Sequence, residues 1–303
     1  MKLSVLLFSF ILALITGNSS PLSAQHFQTI HQAEDSLKSI LTSLNQAKDD
    51  SAKNIFNQMF ANILSEALQF PSSDNYPFDS LKTLIKITSP DNKFRIFHWN
   101  LPTADGKHRY YGFIKLLNQE PPMIYRLTDK SDSLPSPDTA LLDNLHWFGA
   151  LYYKIIPGET ASGEQIYTLL GWAGENTLIT QKVIEVLTFD DHGSPHFGLR
   201  IFPDYKGGNM ARIIFRYSAA TSMSLKYELQ PMATRQKYNS KKRAFDYTVG
   251  EVRMIIADRM VPPDPRMEGQ YQFYVASGDV FDGFLFKQNH WAFIAGIDAR
   301  NKN

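Results

Sequence analysis

The chain has 303 residues, 43% of them hydrophobic and 13% aromatic, with 31 Lys and Arg against 30 Asp and Glu. This composition excludes a disordered chain, a coiled coil and a fibrous repeat, and the near balance of charge gives no global attraction to polyanions such as nucleic acid. There is no Cys, so disulfides, thiolate metal sites, Cys nucleophiles and lipid attachment at a Cys are excluded as well.

Residues 1–24 place Lys2 before an apolar run from Leu3 to Ile15 and a small-residue exit at Ser23-Ala24. The run is short of the ~20 apolar residues that span a bilayer, and the pattern predicts a secretory signal peptide cleaved before Gln25. The product is expected to be exported, periplasmic or secreted, with no membrane span in the mature chain.

Residues 25–71 carry apolar residues at helical spacing: Ile30, Ala33, Leu37, Leu41 and Leu44, then Ile55, Phe56, Met59, Phe60, Ile63, Leu64 and Leu68. This predicts an α-hairpin, with Asp50 or Ser51 capping the second helix and Pro71 ending it. Its stripe either packs onto the following domain or serves as a docking face for a protein partner.

Residues 72–303 change period. Runs at 85–87, 94–99, 110–117 and 124–127, joined by turn residues, predict a four-stranded antiparallel meander. After the loop at 131–137 and a short helix at 138–145, further strands are expected at 147–156, 165–172, 182–189, 197–202, 212–217, 224–229, 252–258, 270–275, 283–286 and 291–294. The fold class is therefore mainly β: a large antiparallel meander closed as a sandwich or irregular barrel, after an N-terminal α-hairpin. The alternative is a small β-propeller, because Ser89-Pro90-Asp91-Asn92 resembles the blade motif of TolB-type propellers; it occurs once, where a blade motif repeats.

The chemistry-bearing patterns are sparse. Asp190-Asp191-His192-Gly193-Ser194-Pro195-His196 holds metal-ligand residue types, yet the same residues make a hairpin turn. Gly158 and Gly163 have P-loop spacing, but Glu164 stands where the phosphate-binding Lys belongs. No catalytic residue, metal ligand or cofactor is assigned. The preferred ligand-binding residues are Trp172, Glu175 and Asn176, at the end of a strand, where an aromatic ring can stack on a sugar while polar side chains hold hydroxyls. Ten basic residues within 200–243, interleaved with aromatics, form either a solvated sheet face or a surface for an acidic envelope partner. Asp-Ser/Thr-aliphatic triplets recur, as at Asp132-Ser133-Leu134 and Asp138-Thr139-Ala140; they either cap helices or resemble the acceptor of general O-glycosylation in exported Bacteroidota proteins, with Ser133 and Thr139 the expected glycan sites.

Phe94–Leu101, Tyr110–Ile114, Leu169–Trp172, Lys182–Asp190, Val261-Pro262-Pro263, Glu268–Tyr274 and Asp298-Ala299-Arg300-Asn301 together are similar to a family of uncharacterised secreted proteins of Bacteroidota type. The resemblance implies compartment and lineage and carries no activity. The expected role is a non-enzymatic binding or structural module of the cell envelope, with an envelope glycan or a protein as partner. The alternatives are a glycan or ester hydrolase and a docking factor that uses the N-terminal helices.

Overall fold

The computed structural model describes residues 27–241 and 243–297, with the backbone alone at 233–237 and 244–248. The expected signal peptide and the terminal Asp298-Ala299-Arg300-Asn301 lie outside the described residues.

Two packed helices come first, α1 (Ile30–Gln46) and α2 (Asp50–Leu68). The Thr29 side chain caps α1 by accepting from the Gln32 amide, and Asp49, one residue earlier than expected, caps α2 by accepting from the Ala52 amide at 2.9 Å. Leu37, Phe60, Leu64 and Leu68 are fully buried, whereas Ile55 and Met59 face solvent.

The first sheet joins β1 (Ile85–Thr88), β2 (Phe94–Pro102), β3 (His108–Leu116) and β4 (Met123–Thr128) in that order, all antiparallel, as the meander reading expects. The Ser89–Asn92 segment is the β1–β2 turn: the Asn92 amide donates to the Ser89 carbonyl, and Ser89 Oγ accepts from the amides of Lys93 and Phe94. The second sheet runs β5 (Leu142–Asp143), β9 (Pro195–Phe197), β8 (Ile179–Phe189), β7 (Gln165–Gly174), β6 (Leu151–Glu159), with β10 (Arg212–Ser218) also on β8. The third runs β11 (Leu225–Asn239), β12 (Ala244–Val261), β13 (Val275–Lys287), β14 (His290–Ile297).

Strand parity sets the layering. On β2, Phe97, Trp99 and Leu101 pack with the helices, while Phe94 and Ile96 pack on the second sheet. On β7, Tyr167, Leu169 and Ala173 face the first sheet, while Ile166 and Leu170 face the third. Both faces of the middle sheet are thus dry, which accounts for its near-continuous apolar runs. The molecule is an open stack of a helix pair and three sheets. Among the described residues no sheet closes into a barrel, and the sheets share cores only in series, so the barrel and propeller expectations give way to layered packing.

Buried charges tie the layers together. Arg95 and Lys115 are cross-strand partners on the helix side of the first sheet. Arg95 donates to the Tyr76 carbonyl at 2.6 Å, and Lys115 donates to Ser73 Oγ at 2.5 Å and pairs with Asp74 at 2.6 Å. These cations satisfy the segment leaving α2, where no sheet ladder can. In the middle sheet, fully buried Arg212 pairs with Glu185 at 2.5 Å, and Tyr152 donates to the same carboxylate while accepting from Trp147 Nε1 at 2.8 Å.

Four local expectations are corrected, the first being the strand at 197–202, which is seen as Pro195–Phe197 and leaves 198–202 outside any strand. Residues 138–145 are not helical, because the Asp138 carbonyl accepts from the Ala211 and Arg212 amides and holds that segment beside β10. The strand expected from Trp147 begins at Leu151, since Gly149 sits at φ +76° and its place beside Asp129 leaves no room for a Cβ. Residues 271–273 form a 3-10 turn ahead of β13.

Candidate functional site

One end of the stack gathers the β2–β3 turn, the loop after β4, the β7–β8 turn, β10 and the β10–β11 connection. Two adjoining clefts open there, and they share His108 and Gly174 as a dividing wall. The larger, about 530 Å³, is lined by Trp172, Asn176, Thr177, Thr180, Lys182 and the Thr221–Met223 segment, among others. The smaller, about 260 Å³, holds Ser131, Asp132, Glu175, Gln181 and Arg216. The three residues chosen from sequence all line these clefts, Glu175 the smaller and Trp172 and Asn176 the larger.

Their individual duties differ from the expected ones. Trp172 is half-buried and packs its ring at a right angle to His108, with centroids 5.3 Å apart. Asn176 turns its Oδ1 to the amides of Leu178 at 2.8 Å and Ile179 at 3.0 Å, so its carbonyl builds the β7–β8 turn and its amide nitrogen is what remains for a ligand. Glu175 accepts from Gln181 Nε2 at 2.6 Å.

The wall is fixed from behind. Asn100 Nδ2 donates to His108 Nδ1 at 2.6 Å, which makes Nδ1 the acceptor and leaves the proton on Nε2. Partial burial pushes the His108 pKa below its ordinary value, so the ring is a neutral donor at neutral pH. Tyr110 Oη accepts from the Gly174 amide at 2.6 Å. Asp129 anchors the floor by accepting from the Tyr110 amide at 2.9 Å, the Ser131 amide at 2.9 Å and Ser131 Oγ at 2.7 Å; burial raises its pKa from the ordinary aspartate value. Burial also lowers the pKa of Lys182, whose ammonium lies 4.6 Å from the centre of the Tyr153 ring.

Hydrolytic chemistry needs a nucleophile in contact with a base. Here Ser131 donates to Asp129, and His108 Nδ1 is taken by Asn100; among the described residues no hydrogen bond joins Ser131 to His108. Asp132 pairs with Lys107 at 3.3 Å, and Arg216 with Asp138 at 3.2 Å. The polar groups are positioned as walls.

Other sequence candidates fall elsewhere. The Asp190–His196 run is a turn leading into β9: Asp190 accepts from the amides of His192 at 2.9 Å and Ser194 at 2.8 Å, with Gly193 at φ +79°, and Pro195 and His196 begin the strand. The basic 200–243 run is not one surface, since Arg212 is in the core and Arg216 lines the smaller cleft. Ser133 is exposed in a 3-10 turn, whereas Thr139 is half-buried. His108, Lys182, Gln181, Thr221 and Ser222 were missed; they come from three separate chain segments, and only the fold brings them beside Trp172.

No family model matches the chain, and no curated protein and no solved structure matches it.

Proposed function

We propose that this protein is a non-enzymatic binding module of the cell envelope whose two-part cleft takes a hydroxyl-rich ligand of the saccharide class. The observation that carries the reading is a half-exposed Trp172 beside a cleft rimmed by Thr177, Thr180, Thr221, Ser222 and the Asn176 amide. An apolar ring face with short hydroxyl and amide side chains around it suits the alternating C–H faces and hydroxyls of a sugar. Binding is preferred to hydrolysis because Ser131, His108 and Asp132 are each engaged by a neighbour.

Export rests on the residue pattern of 1–24 and on the resemblance to secreted Bacteroidota-type proteins. No helix among the described residues is long and apolar enough to cross a membrane. Exposed Ser133, following Asp132, is the proposed O-glycan site ahead of Thr139, and an intact mass equal to that of the bare chain would remove that part of the proposal.

The test is calorimetric titration with a panel of neutral and acidic oligosaccharides. At least one is expected to bind the wild type and to lose most of its affinity to Trp172→Ala. A panel that binds neither protein, or binds both equally, contradicts the reading.

A further inference from the structure

A second surface, separate from the cleft, lies at the far end of the third sheet. β13 pairs with β12 only between Ile255, opposite Phe284, and Val261, opposite Val275, while β11 is an edge strand. From Pro231, opposite Glu251, to Asn239, opposite Ala244, the two long strands therefore pair, among the described residues, only with each other. Nine residues at ~3.4 Å each carry this ribbon about 30 Å past the sheet. The last buried residues described at its root are Gln230 and Met254, and beyond them Pro231, Tyr238, Ser240, Lys241, Arg243, Val249 and Glu251 are exposed. A two-stranded ribbon without a core face is marginal in water on its own.

Its composition is uneven. Between Arg235 and Arg243 stand Arg235, Lys237, Lys241, Lys242 and Arg243, with no acidic residue. Lysines that merely guard bare strand edges would be spread along both strands. Here Arg235 and Lys237 lie on β11 and Lys241 and Arg243 at the turn that follows it, and the register sets Tyr238 opposite Phe245 and Gln236 opposite Tyr247 just behind that turn.

We propose that this projecting hairpin docks on an anionic lipid surface. Cationic side chains approach lipid phosphates over a distance set by ionic screening, and aromatic residues settle at the headgroup level, where one end of the ring is apolar and the other wet. The ribbon is long enough to reach a bilayer while the body stays in water. The ribbon is two strands wide, too narrow a backbone to cradle a polysaccharide chain, so lipid is the occupant the shape favours.

The experiment is co-sedimentation of the full chain with phosphatidylcholine vesicles, with and without phosphatidylglycerol, at low and high salt. It compares wild type with the Lys241→Glu/Arg243→Glu variant, so that residues 1–24 contribute equally to both. Wild type is expected to show a phosphatidylglycerol-dependent increment that high salt abolishes. With about fivefold per cationic residue, the variant should lose at least about 25-fold of it. Both substitutions are at exposed turn positions, and an unchanged melting temperature confirms the fold. An equal increment in the variant, no increment in the wild type, or capture by soluble alginate without vesicle binding would each overturn the proposal.

Discussion

Trp172 and His108 meet edge to face with ring centroids 5.3 Å apart, and Gly174 sits where a side chain would collide with both. The three residues form the wall between the clefts. His108 comes from the start of β3 and Trp172 from the end of β7, so the wall exists only because the first sheet packs on the second.

Gly174→Ala tests this wall directly. A Cβ at 174 would lie 2.5 Å from His108 Cδ2 and 2.9 Å from the Trp172 ring. Overpacking of this kind costs about 1–3 kcal/mol, and the rings must shift to relieve it. The variant should remain folded, melt at lower temperature, and lose affinity for any saccharide that the wild type binds.

Arg212→Met should destabilise the protein by about 3–5 kcal/mol, because it leaves the Glu185 carboxylate buried with only the Tyr152 hydroxyl and without its cation. Adding Glu185→Leu should restore much of that loss by removing the orphaned charge. Urea denaturation of the two variants measures both effects, and equal stability of single and double variants would show that the pair is not coupled.

His98 supplies a pH dependence. It is wholly buried, its Nε2 accepts from the Tyr152 amide at 2.7 Å, and burial pushes its pKa down to about 4. An unfolded His titrates near ~6.5, so between these values the unfolded chain binds more protons than the folded one. The stability held by neutral His98 is complete above ~6.5 and falls as pH drops toward about 4, by about 3 kcal/mol in all. His98→Gln, which keeps an acceptor for Tyr152, should flatten the unfolding free energy between pH 6.5 and 4. An unchanged slope in urea melts across that window would contradict the assignment.

The elements of the first half were legible because their signals are local. Helical spacing and a stop at Pro71 mark the hairpin, and turn residues at 89–92, 103–106 and 120–122 separate strands of alternating or continuous apolar character. The sequence pattern ends β11 early because residues 234–243 carry no aliphatic side chain, so the alternation of Phe245, Tyr247 and Val249 on the returning arm has no comparable run opposite it. The segment around Asp138 read as a helix because its pairing partner, Ala211, is distant in sequence. In the candidate site, Trp172, Glu175 and Asn176 were visible as one run ending a strand. His108, Gln181, Lys182, Thr221 and Ser222 were not, since no spacing rule links residues that different loops bring together.

Fluorescence quenching by iodide reports on the exposure of Trp172 and on what covers it. Of the four tryptophans, Trp99, Trp147 and Trp291 are buried and Trp172 alone is half-exposed. A quenchable fraction is expected that disappears in Trp172→Phe and is shielded in the wild type by a bound saccharide from the panel. A quenchable fraction that survives Trp172→Phe, or that no saccharide in the panel shields, would contradict a sugar-binding cleft at Trp172.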